Sequence, residues 1–406
     1  MAPNLRVVSY DDADRASAEV DLSSPLFTSD GTVMRTSCLI NNYNYADFLC
    51  EAVQSALEQE TPFTEVIVVD DGSTDDSLSR LDKRFRNESR LQVIAKDQEG
   101  QLSCLQTAME IASGDVVYFL DSDDRHRPDL NTKVQSVYEQ QPSIDCISVG
   151  YESFGDCAGG RQRIKVTRDQ GISAVGAVMQ RRWVGAPTSC LSMRSSLVRK
   201  ILPYPRESEW KTRADDVLVF GSSIVGSHKF HLEEPLVEYR RHGANHFAGR
   251  SWSAAEKMRY SLEVNRMTGW YVEKMGYELS TFPRLASREF RTIEKPTVKE
   301  WLQYLRMASH PSLTLGLRMG NLLSVTKHYV RERVSRKGNS LAPTARASQT
   351  VTPNKLDEPS DASEHASGVQ GPAAANRHSR SIKADVVPSI VCGRGDLPVK
   401  PRRNSA

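Results

Sequence analysis

Between residues 36 and 150 the chain alternates short apolar runs with longer segments of helical period, and few folds accommodate that pattern. The runs are 36–40 (TSCLI), 65–69 (EVIVV), 91–95, 116–120 (VVYFL) and 144–149. Each has the length of a strand and polar residues at its ends, the mark of buried β structure. Between them, Phe48, Leu49, Ala52, Val53, Ala56 and Leu57 share one helical face, as do Leu78, Leu81 and Phe85. Leu102, Leu105, Met109 and Ala112 form a third such face, and Leu130, Val134 and Val137 a fourth. Strand alternating with helix predicts an α/β fold: a mostly parallel sheet flanked by helices, with right-handed crossovers.

Two of these strands end in acids. The 116–120 run stops at Asp121, Ser122, Asp123 and Asp124, and the 65–69 run passes into Asp70 and Asp71 of DDGS. Clustered carboxylates repel, and a hard divalent cation with oxygen ligands is the usual remedy. In open α/β sheets, ligands sit outside the carboxyl ends of the strands. A polar loop with Asp121 or Asp124 capping the next helix is the alternative, and for Asp71 the alternative is a cap of the DGS turn. A third acidic pair, Asp215–Asp216, opens the apolar helical stretch RADDVLVFGSSIVG, where a helix dipole favours negative charge. Beyond it lies a polar group, Tyr239, Arg240, Arg241 and His242.

Composition narrows the classes. Lys plus Arg total 53 against 51 Asp plus Glu, so overall charge gives no argument for nucleic-acid binding. The seven cysteines show no Cys-x-x-Cys spacing, which fits neither a zinc site nor a disulfide framework and suits a reducing compartment. No signal-peptide pattern opens the chain, and no run approaches the ~18 apolar residues of a membrane span. A cytoplasmic protein is expected, soluble or peripheral at the inner face of the membrane. The 39% hydrophobic content is low and predicts disordered ends, an arm at 1–34 and a Ser/Pro/Ala-rich tail at 338–406. The stretch 171–181 reads as a helix, as does 195–202, while HLEEPLVEYRRHGANHF reads as a strand pair leading into a loop. A helical extension is expected over 251–337, with Trp252, Ala255, Met258 and Leu262 on one face and Val298, Trp301, Leu302 and Leu305 on another. Its last helix, 312–334, carries Leu315, Met319, Leu322, Tyr329 and Val330 and turns basic at Lys327, Arg331, Arg333, Arg336 and Lys337. Two readings stand for it: a helix packed on the main domain, or an interfacial segment touching anionic lipid.

The words TSCLINNYNYADFL, EVIVVDDGSTDDS, EGQLSCLQTAMEIASGD, VVYFLDSDD with RPDL, APTSCLSMR, RADDVLVF and EYRRHGANH together resemble the family 2 inverting glycosyltransferases. They cover about half the chain, from Thr36 to Asn245. The resemblance implies a GT-A-type, Rossmann-like catalytic domain at 35–250, with a nucleotide-binding half (35–150) and an acceptor-binding half (151–250). Tyr43 would flank the base and Asp71 contact it, with Asp70 a close second; Gly100 and Gln101 would approach the nucleotide. Asp121 and Asp123 would form the DxD motif, Asp123 on the metal and Asp121 on it or on the ribose. Asp216 would be the general base, with Asp215, where the family usually has Glu, left as the other choice. His242 would be a metal or diphosphate ligand, Arg240 would face phosphates, and Trp183 and Pro187 would line the acceptor side. Asn41 departs from the family's usual Pro. The implied activity is metal-dependent (Mg²⁺ or Mn²⁺) transfer from a UDP- or GDP-sugar to a saccharide or lipid-linked hydroxyl, in cell-surface polysaccharide or glycoconjugate synthesis.

Other classes fit less well. A dinucleotide-binding oxidoreductase would carry G-x-G-x-x-G after its first strand. A nucleotidyltransferase would need a Gly-rich, basic loop there, and NNYNYADFL has neither feature. A nucleotide-sugar-binding protein without transferase activity would lack the base or metal carboxylates, and both clusters are present.

Overall fold

The computed structural model describes residues 7–9, 34–156, 165–243 and 252–339, all within the compact unit Met1–Pro343. The expected tail from 340 onward, most of the expected arm, and Asn245 at the end of the last resembling word lie outside the described residues. In chain order the elements begin with β1 (Val7–Ser9), β2 (Thr36–Asn42), α1 (Leu49–Leu57), β3 (Glu65–Asp70), α2 (Ser77–Phe85), β4 (Leu91–Ala95) and α3 (Gln101–Ile111). Then come β5 (Val116–Asp121), β6 (Arg125–His126), α4 (Leu130–Gln140), β7 (Cys146–Gly155), β8 (Arg168–Gly171), α5 (Ala174–Gln180), β9 (Leu191–Arg194) and α6 (Ser195–Ile201). The rest are α7 (Ala214–Ile224), β10 (Lys229–Arg241), α8 (Ala254–Lys274), α9 (Phe282–Phe290), α10 (Val298–Ala308) and α11 (Leu315–Asn339).

One ten-stranded sheet runs β1-β4-β3-β2-β5-β9-β7-β10-β6, with β8 paired to β10. β1, β4, β3, β2 and β5 are mutually parallel, as the alternation predicts. The side beyond β5 is mixed. β9 pairs antiparallel with both β5 and β7 and separates them, so the 144–149 strand does not join the parallel set directly. Every residue of β3 is buried, as are Val116–Leu120 of β5, which is why these strands read as continuous apolar runs rather than alternating ones. The chain runs from β2 outward to β3 and β4, then returns through α3 to β5 on the opposite side of β2. The carboxyl ends of β2 and β5 therefore flank a topological switch point, where α/β sheets open a crevice.

Three sequence expectations change. Val7–Ser9 pairs with β4 as an edge strand, inside the stretch expected to be an arm. The strand pair expected in HLEEPLVEYRRHGANHF is, over its described residues, part of one strand, β10, which is parallel to β7. Its register shifts on both sides of Pro235, since Pro lacks the N–H that a ladder needs and a bulge absorbs it. That bulge is what imitates a turn in HLEEPLVEY.

The third change concerns the helical extension. Its core joins α5 to α9, α10 and α11 through Val175, Phe282, Phe290, Tyr304, Met307 and Val325. On α10 the buried side carries Glu300, Tyr304, Met307 and Ala308, while Val298 and Leu302 face outward. Glu300 turns inward because Arg168 grips it with two hydrogen bonds, at 3.0 and 2.8 Å, and Arg182 adds a further ion pair. On α11, Tyr329 is buried and Leu322 half-buried, but Leu315, Met319 and Val330 are exposed. Trp252 precedes α8, whose N-terminus is closed by a Ser253–Glu256 capping box.

Candidate active site

A cleft of about 610 Å³ opens over the carboxyl ends of β2, β3 and β5. Asp71, Asp121, Asp123 and Asp215 all line it, together with Tyr43, Gly100 and Gln101. The three acidic words of the sequence thus meet in one place, although they come from separate segments.

Each carboxylate is held differently. Asp71 accepts from the backbone N–H groups of Glu99 (2.9 Å) and Gly100 (2.8 Å) and pairs with Lys96 at 3.3 Å. It fixes the start of α3 at one wall. Gly100 sits at φ +109° against the Lys211 backbone, a conformation that favours glycine. Gln101 then spans the cleft floor. Its amide donates to Asp121 at 2.7 Å, and its carbonyl oxygen accepts from the Ala214 N–H at 3.0 Å. One side chain therefore ties the tip of β5 to the first turn of α7.

At the tip of β5, burial and the charges of Asp123 and Asp215 push the Asp121 carboxyl up to about 8. Asp123 meets the His242 ring at 3.0 Å, and that ring packs among Tyr45 and Phe48. Asp124 caps no helix. It accepts from the Arg240 N–H (2.8 Å) and from the Ser189 hydroxyl (2.5 Å), which bolts the DSDD loop to β10 and to the turn before β9. Among the described residues, no three His, Cys, Asp or Glu side chains converge into a complete metal cage. Asp123 and His242 stand in contact as the two side chains at this tip that could hold a cation.

Of the expected site residues, Asp70, Arg240, Asp216 and His242 do not line the cleft, and His242 meets it through Asp123. Asp70 is buried behind the cleft wall, accepting from Asn42 (2.6 Å) and from the Ser73 backbone (2.9 Å) and hydroxyl (2.6 Å). It braces the β3 turn. Arg240 lies behind the DSDD loop. Its Nε donates to the Asp123 carbonyl at 2.7 Å, it pairs with Glu51, and its guanidinium lies over Phe48 and Phe154. Asp216 is fully buried, paired with Arg213 at 2.7 Å and accepting from the Tyr260 hydroxyl at 3.1 Å. Burial raises the Asp216 carboxyl above its ordinary range, and the Arg213 charge opposes that rise. The cleft-facing acid of this pair is Asp215.

The cleft also contains Tyr45, Thr188 and Arg213, which carried no signal of their own in the sequence, together with Tyr239 and with Trp252, which was expected on a helical face. The Tyr45 hydroxyl is pushed up to about 12 by burial and by Asp123, Asp121 and Asp124, so it stays a protonated donor beside the acidic tip. Arg213, at φ +67°, bends the chain into α7. Its guanidinium lies over the Tyr260 ring. Pro187 lines the cleft, while Trp183 is outside the lining, with its indole toward Asp216.

An α/β sheet with acids gathered at its switch point and a cleft of this size over its strand ends is a ligand-binding scaffold. The family model for glycosyl transferase family 2 matches residues 37–202. An uncharacterized glycosyltransferase of Nostoc sp. is 30% identical over 259 residues, spanning 60% of this chain and 77% of that protein. The chondroitin synthase of Escherichia coli is 33% identical over 111 residues, but these cover only 27% of this chain and 16% of that enzyme. Among solved structures, S. aureus TarS in complex with UDP-GlcNAc superposes with a TM-score of 0.50 at 17% identity, covering 75% of this chain and 92% of that one. The chain belongs to glycosyl transferase family 2, has a GT-A-type fold, and is a glycosyltransferase.

Proposed function

We propose that this enzyme is an inverting glycosyltransferase that uses a nucleotide-diphosphate sugar, with Asp215 as its general base. The observation that carries this reading is the meeting of Asp71, Asp121, Asp123 and Asp215 on one cleft. Tyr43 and Asp71, at the β2–β3 side, take the base end of the donor. Gln101 and Asp121, joined by a 2.7 Å hydrogen bond, take the ribose. Asp123 and His242 would hold Mg²⁺ or Mn²⁺, which when bound neutralises charge on the diphosphate as a Lewis acid. Asp215 takes the proton of the acceptor hydroxyl as that oxygen forms its bond to the anomeric carbon. The bond from that carbon to the diphosphate oxygen breaks on the opposite face, and the diphosphate leaves with the electron pair. Arg213 holds Asp216 beneath this turn and brings positive charge to the cleft.

The relatives include a chondroitin synthase and a hyaluronan synthase, and a saccharide or lipid-linked hydroxyl in surface-polymer assembly is the proposed acceptor. A panel of UDP- and GDP-sugars, followed by nucleotide release and by NMR of the product's anomeric proton, tests the reading. One donor class consumed with inverted anomeric configuration, and activity lost to EDTA, is the expected result. Retained configuration would refute the single-displacement geometry, and full activity in EDTA would remove the metal role from Asp123 and His242.

A further inference from the structure

We propose that α11 docks the enzyme on an anionic lipid surface, lying in the plane of the bilayer interface. The helix leaves one stripe unpartnered. Leu315, Met319, Leu323, Val330 and Val334 are all exposed, at 74%, 52%, 67%, 52% and 63%. At 3.6 residues per turn these five fall on a single arc about 100° wide. The opposite side of the helix, with Val325, His328 and Tyr329, is already buried against α9 and α10. The stripe is therefore a second apolar face, separate from the one that stabilises the fold. Soluble surfaces scatter single apolar residues but seldom align them over five turns.

Charge decides what covers the stripe. Lys327 and Arg331 are exposed beside it, and Arg333 is exposed over the Tyr329 ring. The one acid of the helix, Glu332, is held inward, accepting from the Lys295 N–H and pairing with Arg331. Elsewhere the chain balances its charges almost evenly, so this face is locally cationic. The residues from 340 onward are net basic over their length, and a second copy would present the same basic helix and meet the stripe with like charge. A layer of anionic headgroups over acyl chains matches both the cations and the apolar arc. Among the described residues no helix is long and apolar enough to cross a membrane, so the contact is one of lying on the surface.

The test is co-sedimentation of the full chain with vesicles of phosphatidylcholine alone and of phosphatidylcholine mixed with phosphatidylglycerol. Binding to the mixed vesicles, falling as salt rises, and little binding to the neutral ones are expected. The double variant Lys327→Gln/Arg331→Gln lowers partitioning roughly 25-fold, at about fivefold per basic residue. Leu323→Asp lowers it through the apolar arc. Both variants keep the wild-type melting temperature and donor turnover, because these side chains face outward. Equal binding to both vesicle types, no binding to the mixed ones, or variants that bind as wild type would each overturn the proposal. So would a dimer, seen by light scattering without lipid, that Leu323→Asp dissociates.

Discussion

Replacing Glu300 by Gln removes one charge from the buried junction between the helical extension and the sheet. Glu300 is 6% exposed and faces two guanidiniums, those of Arg168 and Arg182. Burial alone would raise its carboxyl, but the Arg168 hydrogen bonds and the charges of Arg182 and Arg168 reverse this, lowering it from 4.5 to about 2. A shift of that size corresponds to roughly 3 kcal/mol of folding free energy, in line with the cost of breaking a buried ion pair from one side. The amide keeps the side chain's shape and one acceptor oxygen, so the loss is mainly electrostatic. Urea unfolding at pH 7 should place Glu300→Gln roughly 3 kcal/mol below wild type, with an unchanged m value. The pH dependence has a definite sign. The folded carboxyl is lowered, so its contribution is complete above about 4.5 and is lost as pH falls towards about 2. The gap between wild type and variant should therefore close across that window. A gap below about 1 kcal/mol at neutral pH, or one that does not change with acidification, would refute the electrostatic reading of this junction.

Two further outcomes follow from the cleft and its supports. Gly100→Ala forces a Cβ onto the Lys211 backbone at a positive φ, with strain on the order of 1–3 kcal/mol. Calorimetric titration of the donor nucleotide should show affinity lowered about tenfold, and wild-type affinity would mean that the wall is not part of the donor site. Lys229 is buried, donating to the carbonyls of Val184 and Val219 and to the Ser223 hydroxyl. Burial lowers it from 10.5 to about 8. The unfolded chain thus binds the extra proton between these values, so stability should rise with pH through that window. Lys229→Met should lack that rise in matched denaturation series, and identical pH profiles would reject the assignment.

What the sequence made legible is physically specific. The parallel strands announced themselves because burial on both faces demands unbroken Val, Ile and Leu, and their acidic ends marked the cleft. The choice between Asp215 and Asp216 was not readable. Adjacent helical residues point about 100° apart, and which one turns inward is set by Arg213 and by Tyr260, which lies on a different helix. The resemblance implies a phosphate contact for Arg240, and the sequence holds no sign of its other partners. Here Phe48 and Phe154 sandwich it, and Glu51 neutralises it. Asp70 shows the same limit, since its turn partner Asn42 belongs to another strand. The inward face of α10 is not readable because a buried glutamate looks like a surface residue until its arginines are placed.

The claim at the centre is that Asp215, and not its neighbour, performs the proton transfer in the shared cleft. Steady-state turnover and donor binding, measured side by side for Asp215→Asn and Asp216→Asn, address it directly. Asp215→Asn should bind the nucleotide-sugar as tightly as wild type while turnover falls by ~10² or more. Asp216→Asn should melt at lower temperature yet retain more turnover while folded. Wild-type turnover in Asp215→Asn, with a folded but inactive Asp216→Asn, would contradict the account.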